Sequence, residues 1–390
     1  MNMRKRTLVG LGILAVVAIF VAIMLLAPKA PTMTNLNVRG GASFFGTANT
    51  QMAEFNKSIG REMTIVDERN TCGEKGEWEN VDLIQAGTLN CQTELKKLFA
   101  ENPKFAEQGY KFYSESVVAT SPYVIVVKAN PDQNDFDPMI AADYIYKSGN
   151  TYLIDPEYMT KLVVADIEGK KFNDPSVGVD IDQNVTIGFP NSTVGVPSAD
   201  LLLSYAFNGG QEMIGTDATM KTTDAKGNEV ATLKPEYANA LIALYERSGK
   251  VVNSSLDYCH NWLNAKTDPV RISIFSESCY TSWAIKYANK PDLMKSKGNV
   301  LVYMTKTAKS TFTIIAVSQP GQDYLDAIKD SDQFYQIAAE TTGMRASGIV
   351  DIAPTQWDEH IPANEPWSLL GFPQDIVSAA TKYVLDSYGK

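Results

Sequence analysis

The stretch SVVATSPYVIVVKANP, residues 116–131, carries the strongest fold signal in the chain. A hydroxyl-rich turn at residues 120–122 precedes the unbroken apolar run Tyr123–Val127, and Lys128 ends that run. An apolar, β-branched run without a polar face is typical of a central strand that is buried on both sides. We therefore predict a core strand here, with a second α/β unit beginning where the run stops.

Strand and helix signals alternate on both sides of this stretch. Upstream, Met52, Phe55 and Ile59 recur at helical spacing, and the strand candidate EMTIVDE follows at residues 62–68. Downstream, the strand candidate NVTIGFP at residues 184–190 restarts the alternation. Later strand candidates are VRISIFSES (270–278), NVLVYM (299–304) and TFTIIAVS (311–318), and later helix candidates are KPEYANALIALYERSG (234–249), SDQFYQIAAETTG (331–343) and QDIVSAATKYVLDSYG (374–389). This order predicts an α/β fold with a mostly parallel sheet and helices on both faces.

The length of the chain favours two compact units. At 390 residues it exceeds the size at which a single core keeps growing. The simplest architecture lets the central strand carry the chain out of lobe 1 and the strand candidates around residue 311 bring it back. Two lobes joined by two crossings make a hinge with a cleft between them, with Thr120 and Ser121 at its rim. The predicted boundaries are 1–30 for an N-terminal segment, 31–126 plus 312–390 for lobe 1, and 127–311 for lobe 2.

The N-terminal segment contains a candidate membrane anchor. Leu8–Ala27 is an uncharged apolar segment of about 20 residues, long enough to cross a bilayer core of about 30 Å. Basic residues at positions 4–6 precede it and only Lys29 follows closely, which predicts a cytoplasmic N-terminus and an extracytoplasmic bulk. We predict a retained single-pass transmembrane helix. The alternative is a signal peptide that is cleaved, with secretion to the periplasm. However, the sequence LLAPKAPTM at the end of the apolar segment lacks a small-residue cleavage site.

The charge balance restricts the possible partners. The formal net charge is −10, whereas binding to phosphate groups needs a basic face. The composition therefore argues against nucleic acid and against an anionic membrane surface as partners.

The four cysteines fall into two local pairs. Cys72 and Cys91 are 19 positions apart, Cys259 and Cys279 are 20 apart, and none shows C-x-x-C spacing. Export favours the disulfides Cys72–Cys91 and Cys259–Cys279, each worth about 3 kcal/mol in the chain-entropy model. Four cysteines allow three connectivities, and four buried free thiols are a further alternative.

No catalytic constellation is recognisable in the sequence. It contains no G-x-x-x-x-G-K-[ST], H-E-x-x-H or G-x-S-x-G motif. Its two histidines, His260 and His360, lack a third metal ligand at recognisable spacing. We therefore predict a protein that is not an enzyme and that holds no metal or cofactor.

Several segments resemble the type II periplasmic substrate-binding proteins, the extracellular solute-binding components of ABC transporters, in their phosphate- and molybdate-like branch. In the family's order they look like the opening strand with its glycine-hydroxyl loop, the crossing strand, the loop and helix of lobe 2, the return crossing, and a helix that ends in a G-F-R type turn. The segments are VRGGASFFGTANTQMAEF (38–55), VVATSPYVIVVKANP (117–131), VTIGFPNSTVGVPSADLLLSYA (185–206), VLVYMTKTAKSTFTIIAVS (300–318) and FYQIAAETTGMRAS (334–347).

The resemblance implies a two-lobe fold with a hinge, and reversible binding of a small polar solute in the interlobe cleft. The closed form would be recognised by an ABC transporter permease or another membrane protein. Main-chain N–H groups at helix N-termini, together with hydroxyls, can hold such a solute without titrating groups. Carried over position by position, the resemblance implies ligand contacts by Ser43, Phe44, Thr120, Ser121, Ser192, Thr193 and Glu277.

Some of these residues have simpler alternative roles, and the chain departs from the family in two places. Helix capping is the alternative for Ser192 and Thr193, and a solvated rim charge is the alternative for Glu277. The segment ERNTCGEKGEWEN at residues 68–80 replaces a loop rich in Gly and Ser in phosphate binders, which argues against phosphate as the ligand. The region after Ile349 has no counterpart in the family. A second functional hypothesis keeps the fold but gives the protein a structural or sensory role, with the cleft contacting a partner protein. An extracytoplasmic enzyme without a recognisable motif is the third.

Overall fold

The computed structural model describes residues 33–46, 48–68, 78–86, 91–191, 195–211, 213, 215–223, 227, 229–248, 254–346, 358–362, 365–370 and 374–388. The predicted anchor, Leu8–Ala27, lies outside these ranges, as does Cys72. Within the described residues, no helix combines the length and the apolar character needed to span a membrane.

The described chain contains sixteen strands and fifteen helices. The strands are β1 (Thr34–Arg39), β2 (Arg61–Asp67), β3 (Leu83–Ala86), β4 (Ser114–Asn130), β5 (Gln133–Asn134), β6 (Ile145–Ser148), β7 (Thr151–Ile154), β8 (Ile187–Gly188), β9 (Thr219–Thr223), β10 (Glu229–Leu233), β11 (Ile272–Ser276), β12 (Asn299–Met304), β13 (Lys306–Thr307), β14 (Lys309–Ala316), β15 (Arg345–Ala346) and β16 (Ser368–Leu369). The helices are α1 (Ala42–Phe45), α2 (Thr50–Ser58), α3 (Cys91–Glu101), α4 (Pro103–Glu107), α5 (Phe136–Ala141), α6 (Pro156–Glu168), α7 (Val196–Asn208), α8 (Gly215–Ala218), α9 (Pro235–Arg247), α10 (Ser255–Asn264), α11 (Glu277–Tyr287), α12 (Pro291–Lys297), α13 (Gln319–Ile328), α14 (Asp332–Thr342) and α15 (Gln374–Tyr388).

The predicted core strand is the second half of β4. Val124, Ile125, Val126 and Val127 are all fully buried. Val124 and Val126 belong to the core on one face of the sheet, and Ile125 and Val127 belong to the core on the other face. Burial on both faces, predicted from the missing polar positions, is therefore confirmed.

Strand β4 connects two parts of the molecule. Its first half pairs with β14, from Lys309 opposite Pro122 to Ala316 opposite Ser114. Its second half pairs with β11 on one side and with β12 on the other. We call the part built around β1–β3 and β14 lobe 1, and the part built around β6–β8, β11 and β12 lobe 2. The chain leaves lobe 1 along β4 and returns between β12 and β14.

The directions of the strands decide where the loops of the two lobes meet. In lobe 1, β1 is parallel to β2 and β3, β3 is antiparallel to β14, and β14 is antiparallel to β4. Strands β1–β3 therefore run in the same direction as β4, towards lobe 2. In lobe 2, β11 and β12 are antiparallel to β4, β8 is parallel to β11, and β7 is parallel to β12. Their carboxyl ends consequently point back towards lobe 1.

The sheet is mixed, which corrects the prediction of a mostly parallel sheet. The pairings of β4 with β11, β12 and β14 are all antiparallel. The physical reason is that β4 serves both lobes, so the strands that bring the chain back must run against it.

Lys128, near the carboxyl end of β4, holds neighbouring elements of lobe 2 together. The Nζ atom of the buried Lys128 donates to the carbonyls of Trp262 and Ala265, at 3.2 and 2.7 Å, and to Oδ1 of Asn299 at 2.6 Å. It also lies 4.3 Å from the ring centroid of Trp262. Burial lowers the pKa of Lys128 to about 7. The residue that ends the apolar run thus binds the end of α10 and the start of β12.

Helix α15, the last helix of the chain, packs into the core of lobe 2. Ile376, Ala379, Ala380 and Val384 of α15 pack with the apolar residues of α6, α7 and α9. The predicted domain boundaries assigned residues 312–390 to lobe 1, so the position of this helix differs from that assignment. The remaining boundaries stay a prediction.

Cys259 and Cys279 lie next to each other as buried free thiols. The Sγ atom of Cys279 donates to the carbonyl of Ser255 at 3.8 Å. Burial raises the pKa of Cys259 well above its usual value, whereas the hydrogen bond from Cys259 lowers that of Cys279. The predicted disulfide joins two residues that are in contact, but it is not formed in this structure. Cys72 lies outside the described residues, so the Cys72–Cys91 disulfide stays a prediction.

Candidate functional site

The carboxyl ends of the strands of both lobes meet at one edge between the lobes, and we call this edge the interlobe cleft. Polar ligands of open α/β sheets bind beyond the carboxyl ends of the strands. The residues that follow β1, β8 and β11 therefore lie at this edge, and Thr120 and Ser121 lie where β4 passes from one lobe to the other.

The loop after β1 is built on two glycines. Gly40 and Gly41 have φ values of 79° and 68°, and a Cβ atom on Gly41 would lie 3.0 Å from the Cβ atom of Gln85. Positive φ and this close approach favour glycine. The loop leads into α1, where Ser43 is exposed. Its hydroxyl is available to a ligand.

Phe44 is a core residue of lobe 1, which differs from its predicted ligand contact. The side chain is 1% exposed. Its ring centroid lies 4.6 Å from that of Phe312 and 4.8 Å from that of Phe45. Its main-chain N–H donates to the carbonyl of Gly41 at 2.9 Å. The aromatic side chain therefore stabilises the lobe and has no surface for a solute.

Thr120 and Ser121 lie in the part of β4 that has neighbours on both sides. Thr120 is opposite Thr311 of β14 and opposite Arg345 of β15, and its side chain is half-buried. Ser121 is fully buried, and its Oγ accepts a hydrogen bond of 2.8 Å from the main-chain N–H of Ser278. Ser121 thus joins β4 to the first turn of α11.

Glu277 begins α11 and carries a fully buried carboxylate. Arg345 of lobe 1 binds it with two hydrogen bonds, Nε to Oε2 at 2.8 Å and Nη2 to Oε1 at 2.6 Å. The hydroxyl of Tyr303 donates to Oε1 at 2.5 Å. The carboxylate is therefore neutralised within the protein, which differs both from a direct ligand contact and from a solvated rim charge.

Arg345 is held by a second set of contacts. Its Nη1 donates to the carbonyl of Pro362 at 2.9 Å, and its guanidinium lies 4.9 Å from the ring centroid of Trp367. The Trp367 ring stacks on that of Tyr303 at 5.1 Å and 5°. Burial lowers the pKa of Arg345, but the hydrogen bonds and the charge of Glu277 outweigh this effect and raise it overall. The hydrogen bonds between Arg345 and Glu277 link the two lobes.

A further contact between the lobes lies one helical turn away. The hydroxyl of Thr281 in α11 donates to the carbonyl of Gly343 at 2.5 Å. Gly343 has a φ of 66° and ends α14, and a Cβ atom there would lie 2.4 Å from the Thr281 hydroxyl. The start of α11 is therefore closely fitted against the end of α14.

The loop after β8 contains two predicted ligand residues, Ser192 and Thr193, which lie outside the described residues. Beside them, the side-chain amide of Asn191 donates to the carbonyl of Tyr245 at 2.7 Å. A Cβ atom on Gly195 would lie 1.9 Å from the carbonyl oxygen of Pro190, so the loop closes on itself just before α7. The roles of Ser192 and Thr193 stay predictions.

The described residues contain no group of three or more His, Cys, Asp or Glu side chains that could hold a metal ion. His260 has a ring nitrogen 3.1 Å from Oγ of Ser282, and His360 has one 2.9 Å from Oδ1 of Asp358. Among the described residues predicted to bind a ligand, Ser43 is exposed and Thr120 is half-buried, and each carries a hydroxyl.

Arg345 was absent from the predicted site. The available signal was its place in GMRAS, after the glycine that ends α14, where the family-like turn carries an arginine. Its partner Glu277 is 68 residues away in sequence, and no local pattern connects the two.

Comparisons with known proteins bear on the fold. A putative extracellular solute-binding protein from Bordetella parapertussis is similar over 91% of this chain and 98% of its own, with 14% sequence identity and a TM-score of 0.50. The two chains share a fold. A protein from Trichodesmium in complex with iron and citrate is 9% identical over 90% of this chain and 96% of its own, with a TM-score of 0.49. A ferric binding protein from Bordetella is 10% identical over 91% and 99%, with a TM-score of 0.47.

No protein-family model matches the sequence. The search of curated proteins also found no match.

Proposed function

We propose that the protein is an extracytoplasmic solute-binding protein that reversibly binds a small polar ligand in the interlobe cleft and serves an ABC-type transporter. The observation that carries the proposal is the opposed direction of the strands, which brings the loops after β1, β8 and β11 to one edge between the lobes. The fold shared with a putative extracellular solute-binding protein supports it.

The proposed ligand groups are those at the cleft that hold no charge. Ser43 offers an exposed hydroxyl, and Thr120 offers a half-buried one between β14 and β15. Ser192 and Thr193 would contribute from the opposite lobe, at the start of α7. Because Glu277 is paired with Arg345, a solute that approaches these hydroxyls meets no unpaired charge from that pair. A small solute rich in hydroxyl or amide groups fits this arrangement.

In this proposal the segment Leu8–Ala27 anchors the protein in the cell membrane, with its N-terminus in the cytoplasm and both lobes outside. A tether keeps the closed form near its membrane partner and raises its effective concentration there. Secretion to the periplasm after cleavage of the segment is the alternative.

The test is binding by the full-length protein in lipid nanodiscs. A panel of amino acids, sugars, polyols and inorganic anions is screened by thermal shift, and hits are measured by titration calorimetry. A ligand present at 100 times its Kd should stabilise the protein by about 2.7 kcal/mol. The Thr120→Val variant should bind the hit at least tenfold more weakly. The matched control is Thr232→Val, which changes a half-buried strand threonine in the hairpin of β9 and β10.

One observation favours a second candidate function. Ser121 and Glu277, two of the residues predicted to contact a ligand, already have partners within the protein. This arrangement also suits a structural or sensory protein whose lobes stay together and contact a partner protein. The absence of stabilisation by any member of the panel would support this role and count against solute binding.

A further inference from the structure

A second cavity lies in lobe 2, away from the interlobe cleft. Its volume is about 740 Å³, and Asn299, Val300 and Leu301 at the amino end of β12 form part of its wall. The carboxyl end of β12 points towards lobe 1, so the cavity opens at the other end of this strand. The volume lies within the range of small-molecule sites.

Most of the wall is apolar or aromatic. Tyr280 and Trp283 of α11 contribute from one side, Met294 of α12 from a second, and Tyr152 of β7 from a third. The ring of Tyr152 stacks on that of His360, with 5.5 Å between the centroids and 13° between the planes. The cavity therefore suits a flat apolar group.

The polar end of the cavity is organised around Asp358. Its Oδ2 accepts a hydrogen bond of 2.6 Å from the hydroxyl of Tyr280. Its Oδ1 accepts from the main-chain N–H of His360 and from the ring atom Nδ1, both at 2.9 Å. A carboxylate oxygen accepts hydrogen bonds, so Nδ1 of His360 is the donor in this contact. In the neutral form of such a ring, Nε2 has a lone pair that can accept a hydrogen bond from a ligand.

The charge of the lining complements a cation. It contains two carboxylates, Asp358 and Glu359, and one ammonium group, Lys295. The side chain of His360 is 35% exposed, so the Nε2 acceptor is accessible beside these carboxylates. An ammonium group is attracted both by carboxylates and by the faces of aromatic rings. A metal ion does not fit, because no group of three metal-ligating side chains occurs among the described residues.

We propose that this cavity is a binding site for an organic cation that joins an aromatic ring to an ammonium group through a short alkyl chain. The ammonium donates to Nε2 of His360 and is stabilised by Asp358 and Glu359, while the ring packs against Met294 and Pro291 of α12, which are not fully buried. The site is separate from the cleft, so it does not depend on the function proposed above.

The test uses three probes that share one ring: 2-phenylethylamine, 2-phenylethanol and phenylacetate. Each is titrated by calorimetry into the full-length protein in lipid nanodiscs at pH 7.5. We expect the amine to bind with saturation, the alcohol to bind more weakly, and the acid to bind at least tenfold more weakly than the amine. Equal affinity of the amine and the acid, or no saturable binding of the amine at millimolar concentration, would overturn the proposal.

Three variants, one of them a control, locate the site. Met294→Trp fills the cavity from a half-buried wall position and should weaken binding of 2-phenylethylamine at least tenfold. Val230→Trp adds the same ring at a half-buried position of the β9–β10 hairpin and should leave the affinity unchanged. His360→Leu removes the acceptor with little loss of volume, so it should weaken the amine while leaving the melting temperature close to that of the wild type. If Met294→Trp binds the amine as well as Val230→Trp does, the ligand is elsewhere and the assignment is wrong.

Discussion

Removing one partner of the Glu277–Arg345 pair should destabilise the protein more than removing both. The side chain of Glu277 is fully buried and that of Arg345 is 7% exposed, so neither charge can be solvated when the other is lost. Loss of one member of a buried ion pair costs about 3–5 kcal/mol. We therefore expect Glu277→Met and Arg345→Met each to lower the free energy of unfolding by this amount.

The double variant contains no unpaired buried charge. Its remaining losses come from the hydroxyl of Tyr303 and the carbonyl of Pro362, which lose their partners, at about 1–3 kcal/mol each. The double variant should therefore be no less stable than either single variant. The coupling energy between the two sites should therefore be at least as large as the cost of one single variant, about 3–5 kcal/mol.

The assay is urea unfolding followed by far-ultraviolet circular dichroism and by tryptophan fluorescence. Coincidence of the two transitions establishes that a single free energy describes the change. The control is the exposed pair Lys221–Glu229, at 2.6 Å, whose removal should leave the unfolding curve close to that of the wild type. The argument that the pair is a buried link between the lobes would be refuted in either of two cases. The single variants could unfold at the same urea concentration as the control variant, or the free-energy losses of the two single variants could simply sum to that of the double variant.

Three further predictions concern particular residues. Burial raises the pKa of Asp200 to about 7, so the protonated carboxyl stabilises the folded protein at low pH and this stabilisation is lost as the pH rises towards 7. Asp200→Asn should therefore raise the free energy of unfolding at pH 8 by at most about 4 kcal/mol and change it little at pH 4. Urea midpoints that differ from the wild type equally at both pH values would contradict this prediction. In an oxidising medium Cys259 and Cys279 should form a disulfide, detected by peptide mapping without reduction; alkylation of both thiols in the denatured, unreduced protein would show that they stay free. Gly195→Ala should distort the loop before α7, because its Cβ atom would meet the carbonyl of Pro190 at 1.9 Å, and should weaken solute binding more than it lowers the melting temperature; unchanged binding would separate this loop from the ligand.

Much of the fold is readable from the sequence because burial leaves a periodic pattern. The run Val124–Val127 lacks polar positions and is buried on both faces. The closing helix candidate at residues 374–389 matches α15, Gln374–Tyr388, because its apolar residues recur at helical spacing. Its place in the fold was not predictable, since an amphipathic face does not specify which core will cover it.

Shorter elements were harder to predict. The strand candidate NVTIGFP at residues 184–190 forms a strand only at Ile187–Gly188. The strand is short because only Ile187 and Gly188 pair with β11, a tertiary contact that sequence patterns do not show. The hairpin of β6 and β7 was not predicted, although a glycine-containing turn at residues 148–150 separates its strands.

The candidate site was only partly predictable for the same reason. Motif order identified the loops and strands that meet at the cleft, but not which side chains are already used inside the protein. Phe44 fills the core of lobe 1, and Glu277 is bound by Arg345. Both facts depend on contacts between residues far apart in sequence, and such contacts cannot be predicted from a single sequence.

The central claim is that two lobes close over a small solute, and the most direct test is the distance between them. Spin labels are attached through ketone-bearing amino acids at Glu54 of α2 and Lys221 of β9, both of which are exposed. Pulsed electron paramagnetic resonance then measures the distance distribution in the full-length protein, with and without each member of the solute panel. The account predicts that at least one solute shortens and narrows the distribution in a saturable manner. A distribution that stays the same for every solute, including any that binds by calorimetry, would contradict it.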